Sequence, residues 1–132
     1  MRFAGMEPVA IVSALALLEY IFFMYQVGKA RVRFEVPAPK TSGHPEFERY
    51  FRVQQNTLEQ LVIFLPALWM AGWYADVYAA AILGLGFVLG RAMYYVAYVR
   101  DPRKRGPGFA LSLAANAVLV ATALAGALAS LF

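Results

Sequence analysis

Long apolar stretches alternate with short polar ones along this chain, and the apolar stretches are too long for β-strands. The first covers about residues 6–28 and runs into Lys29, Arg31 and Arg33. Residues 35–44 carry Pro37, Pro39 and Gly43 and cannot continue a helix. Pro45 stands where a helix accepts proline as its first residue, and Glu46 and Glu48 follow in the first turn, where the helix dipole favours negative charge. The helix predicted from there, residues 45–75, is divided, with 46–60 polar and 61–74 apolar. At about 1.5 Å per residue it is long enough to cross a bilayer and project beyond it, and Pro66 is expected to kink it. Asp76 marks a short turn, a third apolar stretch covers 77–98, residues 100–107 are strongly basic, and a fourth stretch covers 108–132.

A helical span needs roughly 20 mostly apolar residues. Spans over about 6–28, 45–75, 77–98 and 108–132 therefore use up nearly all of the 132 residues, and the expected architecture is all-α, one four-helix transmembrane domain over 1–132. Composition agrees: 61% of residues are hydrophobic and 15% charged, against about half and about a quarter in a soluble domain. The mean hydropathy is +0.57. The stretch from Val9 to Val27 is long for a signal peptide, carries Glu19 and lacks a small-residue cleavage site before a polar chain, so it reads as a retained span. The absence of cysteine excludes disulfides, thiolate nucleophiles and cysteine metal sites. His44, the single histidine, sits in a loop beside Pro45 and reads as a solvated turn residue, and no metal site is expected.

The basic residues give an orientation. Lys29, Arg31, Arg33, Lys40, Arg49 and Arg52 flank the first connection, Arg100, Arg103, Lys104 and Arg105 fill the third, and the second has none. The positive-inside rule then puts both basic loops in the cytoplasm and both termini on the other side. The net charge of +4 is thus a topology signal, and nucleic acid is not expected as a partner, because the charges flank spans instead of forming a long basic face. A composition rich in Ala, Gly and Arg fits a bacterial inner membrane better than an endoplasmic reticulum. Gly86 and Gly90 form a small-residue pair, and Ala117, Ala121, Ala125 and Ala129 form a stripe at four-residue spacing. Such positions let helices approach closely in lipid, although an alanine-rich helix produces such a stripe by chance as well.

The informative residues are those that a lipid-facing helix should lack. Arg52, Asn56 and Glu59 share one face of the second helix, and Arg91, Tyr94 and Tyr98 share one face of the third, while Met93 and Tyr95 point elsewhere. Both stripes lie toward the basic-loop end. One reading pairs Arg52 with Glu59, assigns the tyrosines to an interfacial belt and lets Arg91 snorkel. The other brings the groups together as a pocket for a small zwitterionic, peptide-like ligand. Guanidinium groups suit carboxylates, a carboxylate suits an amine, and an amide suits a peptide bond. Glu19 either lines the same cavity or pairs across an interface.

The run Pro45-Glu46-Phe47-Glu48-Arg49-Tyr50-Phe51-Arg52-Val53-Gln54-Gln55-Asn56-Thr57-Leu58-Glu59, continued by residues 64–72, contains E-F-E-R followed by R-x-Q-x-N-x-x-E. With Arg91-Ala92-Met93-Tyr94-Tyr95-Val96-Ala97-Tyr98 and the basic loop to Arg105, it resembles the signature of the MAPEG superfamily, membrane-associated proteins in eicosanoid and glutathione metabolism. The resemblance covers nearly the whole chain and is strongest to the glutathione-conjugating branch. It implies a homotrimer that binds glutathione, as co-substrate, between neighbouring subunits on the cytoplasmic side. Arg52, Asn56, Glu59, Tyr94 and Tyr98 match glutathione contacts of one subunit, Arg31 and Gln54 match contacts from its neighbour, Arg91 matches an arginine beside them, and Arg105 matches the arginine that activates the thiol. Two departures bear on the second substrate: Val32 stands where the branch's synthase has a second arginine, and Gln60 where it has a tyrosine.

The resemblance therefore implies a membrane glutathione transferase acting on lipophilic electrophiles, with glutathione-dependent peroxidase activity as an accompanying expectation. The alternative is a non-catalytic lipid- or partner-binding membrane scaffold of the same fold, which Arg105 alongside an intact Arg52, Asn56 and Glu59 set argues against. A small transporter subunit is disfavoured, since neither an inverted repeat nor paired broken helices are present.

Overall fold

The computed structural model describes residues 5–132. Four α-helices follow one another: α1 Glu7–Arg33, α2 Pro45–Tyr74, α3 Val77–Arg100 and α4 Gly106–Ala129. A 3-10 turn, Pro102–Lys104, joins α3 to α4, and no strand occurs among the described residues. α1 outruns the expected end at residue 28 because Arg31 and Arg33 occupy its last turn, where the dipole favours cations. α4 starts and stops earlier than its apolar run, at Gly106 and Ala129.

Side-chain caps set two of the helix starts. His44 is not a plain solvated turn residue: its Nδ1 accepts from the Glu46 N–H at 3.1 Å, and its ring stacks on Phe34 with centroids 4.3 Å apart. The Asp76 carboxylate accepts from the Ala79 N–H at 2.7 Å and starts α3. α2 runs uninterrupted through Pro66, which cannot donate to the preceding turn.

α1, α3 and the segment Pro102–Ala129 are each long and apolar enough to cross a membrane, and this is an integral membrane protein. The polar first half of α2 lowers its average, but its apolar half lies in the same core. Val9, Val12, Leu61, Phe64, Leu68, Phe87 and Leu119 form that core, with Phe64 and Phe87 stacked at 4.0 Å between centroids. At the basic end, Arg49 of α2 donates to the carbonyls of Val99 and Arg100 at 3.4 and 3.1 Å, so the start of α2 is tied to the end of α3.

Lipid is as apolar as leucine, so close packing takes over much of the work that water does in a soluble bundle. Gly90 and Gly108 face each other across α3 and α4: a Cβ on Gly90 would stand 2.7 Å from the Ser112 backbone nitrogen. Of the small-residue pair Gly86 and Gly90, only Gly90 is at such a close approach, since a Cβ on Gly86 would meet nothing within 4 Å. Ala117, Ala121, Ala125 and Ala129 are all exposed and point away from the bundle.

Candidate functional site

The polar half of α2 lies beside the basic end of α3, and between them opens a cleft of about 480 Å³. Arg52, Asn56 and Glu59 form its α2 wall, Tyr94 and Tyr98 its α3 wall, and Arg105, the residue before α4, closes one end. Six of the residues expected from sequence therefore surround one space. Thr41 and Ser42 of the first loop, with Glu48, Phe51 and Gln55, complete the lining. Sequence reasoning missed these five: Glu48 was legible only as a first-turn acid, and the loop residues carry no spacing signal. Among the described residues the ion pair present is Arg103 with Asp101 at 3.1 Å, so Arg52 does not pair with Glu59. The hydrogen bonds from Arg103 also hold the Asp101 carboxyl below its ordinary pKa.

The remaining expected residues lie elsewhere. Arg31 donates to the carbonyls of Val36 and Lys40, at 3.4 and 2.6 Å, and lies over the Phe47 ring at 4.9 Å. Gln54 donates to the Tyr20 hydroxyl of α1 at 3.2 Å. Neither lines the cleft of its own chain. Arg91 shares a helix face with Tyr94 but is fully buried, 0% exposed, behind the cleft wall, and it does not snorkel. Its Nε and Nη2 donate to Thr57 Oγ1 at 3.2 and 2.9 Å, Nη1 donates to Ser112 Oγ at 3.2 Å, and Nη2 donates to Asn56 Oδ1 at 2.7 Å.

The Gln60 departure has a structural counterpart. Gln60 is buried, and its Oε1 accepts from Asn116 Nδ2 of α4 at 3.0 Å, so the side chain turns into the bundle and away from the cleft. Ser112 and Asn116, one turn apart on a helix of otherwise apolar character, were the available signal for this inner polar layer. Glu19 is half-buried on α1, with Oε1 shut off from solvent and unpartnered, and it does not line the cleft. Val32 is 83% exposed beyond the bundle surface.

The lining carries charges of both signs, with guanidinium groups at Arg52 and Arg105 and carboxylates at Glu48 and Glu59, together with amides and phenols. Comparison with known sequences decides the family, since the model of the MAPEG family matches residues 9–125. The chain belongs to the MAPEG family. Its MAPEG relatives include microsomal glutathione S-transferase 2 of Homo sapiens, 46% identical over 83% of this chain and 75% of the relative. Leukotriene C4 synthase of Rattus norvegicus is 41% identical over 90% of this chain and 79% of its own length. A protein of Synechocystis sp. whose role is not assigned is 45% identical over 87% and 84% of the two chains. The MAPEG match takes in α2 and α3 whole, most of α1 and α4, and every cleft residue named above.

Proposed function

We propose that this MAPEG chain is a membrane-embedded glutathione transferase. The observation that carries the reading is the convergence of Arg52, Asn56, Glu59, Tyr94, Tyr98 and Arg105, drawn from three separate parts of the sequence, on one cleft at the basic end of the bundle. Two relatives whose names specify glutathione transfer and leukotriene C4 synthesis support it. In this reading Arg52 receives a carboxylate of glutathione, Glu59 its amine and Asn56 a peptide-bond or carboxylate oxygen. The tyrosines flank the tripeptide, and all four helices span the bilayer.

A free thiol has a pKa near about 8.5, so only a small fraction is thiolate at neutral pH, and the thiolate is the nucleophile. Arg105 supplies a permanent positive charge at the end of the cleft, and a cation beside the sulfur favours its ionised form. The thiolate then attacks an electrophilic carbon of a lipophilic substrate that arrives through the bilayer. In the peroxidase branch the thiolate attacks the terminal oxygen of a lipid hydroperoxide, the O–O bond breaks, the alkoxide leaves as the alcohol after taking up a proton, and a second glutathione reduces the resulting sulfenic acid to glutathione disulfide and water. The site is completed in a homotrimer: Arg31 and Gln54, which lie off the cleft of their own chain, serve the cleft of a neighbour. The basic loops, and so the cleft, face the cytoplasm, and the membrane is a bacterial inner membrane.

The test is conjugation by purified protein with glutathione against aryl halides, unsaturated aldehydes and lipid hydroperoxides, alongside glutathione binding by calorimetry. Turnover with at least one class is expected. Binding without turnover across the panel would favour the scaffold alternative, and no binding at all would refute both the site and the activity.

A further inference from the structure

We infer that Arg91 is a positioning residue that locks the Asn56 carboxamide, so that the cleft meets its NH2 group and never its oxygen. The inference rests on the glutathione reading and adds to it a rule for which ligand groups that wall accepts.

A guanidinium carries donors alone and stays protonated in proteins. Arg91 Nη2 stands 2.7 Å from Asn56 Oδ1. Turning the amide over would set its NH2 against a fully buried donor, leaving that contact unsatisfied on both sides. The oxygen is therefore committed inward and the NH2 outward, where Asn56 lines the cleft.

Arg91 is itself held from several sides, so it can act as a fixed reference. Thr57, the residue after Asn56, accepts from both Nε and Nη2 at 3.2 and 2.9 Å. Ser112 of α4 accepts from Nη1 at 3.2 Å, and its hydroxyl lies 3.1 Å from the carbonyls of Gly108 and Phe109, so the hydroxyl hydrogen has a carbonyl to serve and a lone pair is free for Arg91. The bare Cα of Gly90 lets α4 come close enough for that contact. The guanidinium carbon lies 4.2 Å from the centroid of the Tyr94 ring, a contact that holds Arg91 from a further side.

Asn56 can receive a carboxylate or a peptide carbonyl and cannot receive an amine or a peptide N–H. The amine of the ligand must go to the carboxylates of the same wall, Glu48 or Glu59.

The experiment is a double-mutant cycle on glutathione binding and turnover, using wild type, Arg91→Lys, Asn56→Ala and the double variant. Arg91→Lys keeps the charge and loses the fork. We expect the KM for glutathione to rise about tenfold, with kcat at saturating glutathione within about threefold of wild type, as lost ground-state binding predicts. The double variant should bind within about twofold of Asn56→Ala alone, because Arg91 acts through that amide. A merely structural Arg91 would give additive losses, and additivity in a wild-type background that binds glutathione overturns the role of Arg91 while leaving the transferase reading intact. A wild type that binds no glutathione overturns both. Asn56→Asp gives an answer that does not depend on Arg91 variants folding. It keeps an oxygen toward Arg91 and puts a second one into the cleft, so it should bind glutathione more weakly than Asn56→Ala. Binding equal to wild type would mean that Asn56 offers its oxygen to the ligand, and would overturn the proposal.

Discussion

Arg105 stands exposed at the end of the cleft, its Nη1 tied to the Pro102 carbonyl at 2.9 Å. A side chain placed there acts chiefly on a ligand atom that becomes anionic, so its loss should separate binding from chemistry. Arg105→Ala should leave glutathione affinity within a few-fold of wild type, lower turnover, and regain part of the lost rate as pH rises and hydroxide supplies the thiolate. Calorimetry and a rate–pH profile of the two proteins check this, and an unchanged profile removes Arg105 from the mechanism. Arg52→Ala and Glu59→Ala should fail in the other way. Both residues are exposed in the cleft, so the loss belongs at the lower end of the range for charge-assisted contacts, about 2 kcal/mol or roughly thirtyfold in affinity. At this scale the sequence was legible where charge and spacing coincide. Arg52, Asn56 and Glu59 could be placed on one face because an α-helix fixes that geometry. Arg91 could not be assigned the same way: i, i+3 spacing puts it with Tyr94, but a helix face is broad, and the buried hydroxyls of Thr57 and Ser112 that draw it inward look like ordinary small residues.

Helices meet where their side chains are smallest, and spacing along one helix does not reveal which neighbour it faces. The pair Gly86 and Gly90 was therefore half right, since only Gly90 is pressed against α4, and its partner is Gly108, eighteen positions further along. Substitution should separate the two glycines. Gly90→Ala sets a methyl against backbone that cannot move alone, and thermal unfolding in detergent should show a loss of about 1–3 kcal/mol. Gly86→Ala has open space around it and removes a flexible residue from a helix, so it should be neutral or stabilising by up to about 1 kcal/mol. Equal losses at both positions would mean that α3 and α4 do not touch at Gly90. The divided character of α2 was legible throughout, because polarity and apolarity fall in separate halves and the hinge between them coincides with Glu59 and Gln60. What could not be read was that Gln60 would turn inward to Asn116 while its neighbour Glu59 faces the cleft.

For the whole molecule, the basic loops sit together at one end, joined through Arg49 and the last turn of α3. Cysteine introduced at Lys40 or Lys104, in a chain that has none of its own, should react with an impermeant reagent from the cytoplasmic face only. Labelling from the other face would reverse the orientation. The outward alanine face of α4 and the off-cleft positions of Arg31 and Gln54 leave surfaces that one chain does not use. Mass measurement in nanodiscs should give three times the 14.6 kDa chain, and a monomer that binds glutathione fully would remove the shared site. Arg31 has a further effect on its own chain. Its hydrogen bond to the Lys40 carbonyl anchors the loop immediately before Thr41 and Ser42, the rim of the cleft. The rim is thus tethered from α1, and loosening it should show in residence time: Arg31→Ala is expected to speed ligand escape in stopped-flow dissociation more than it slows entry, because rate changes between related complexes lie mostly in release.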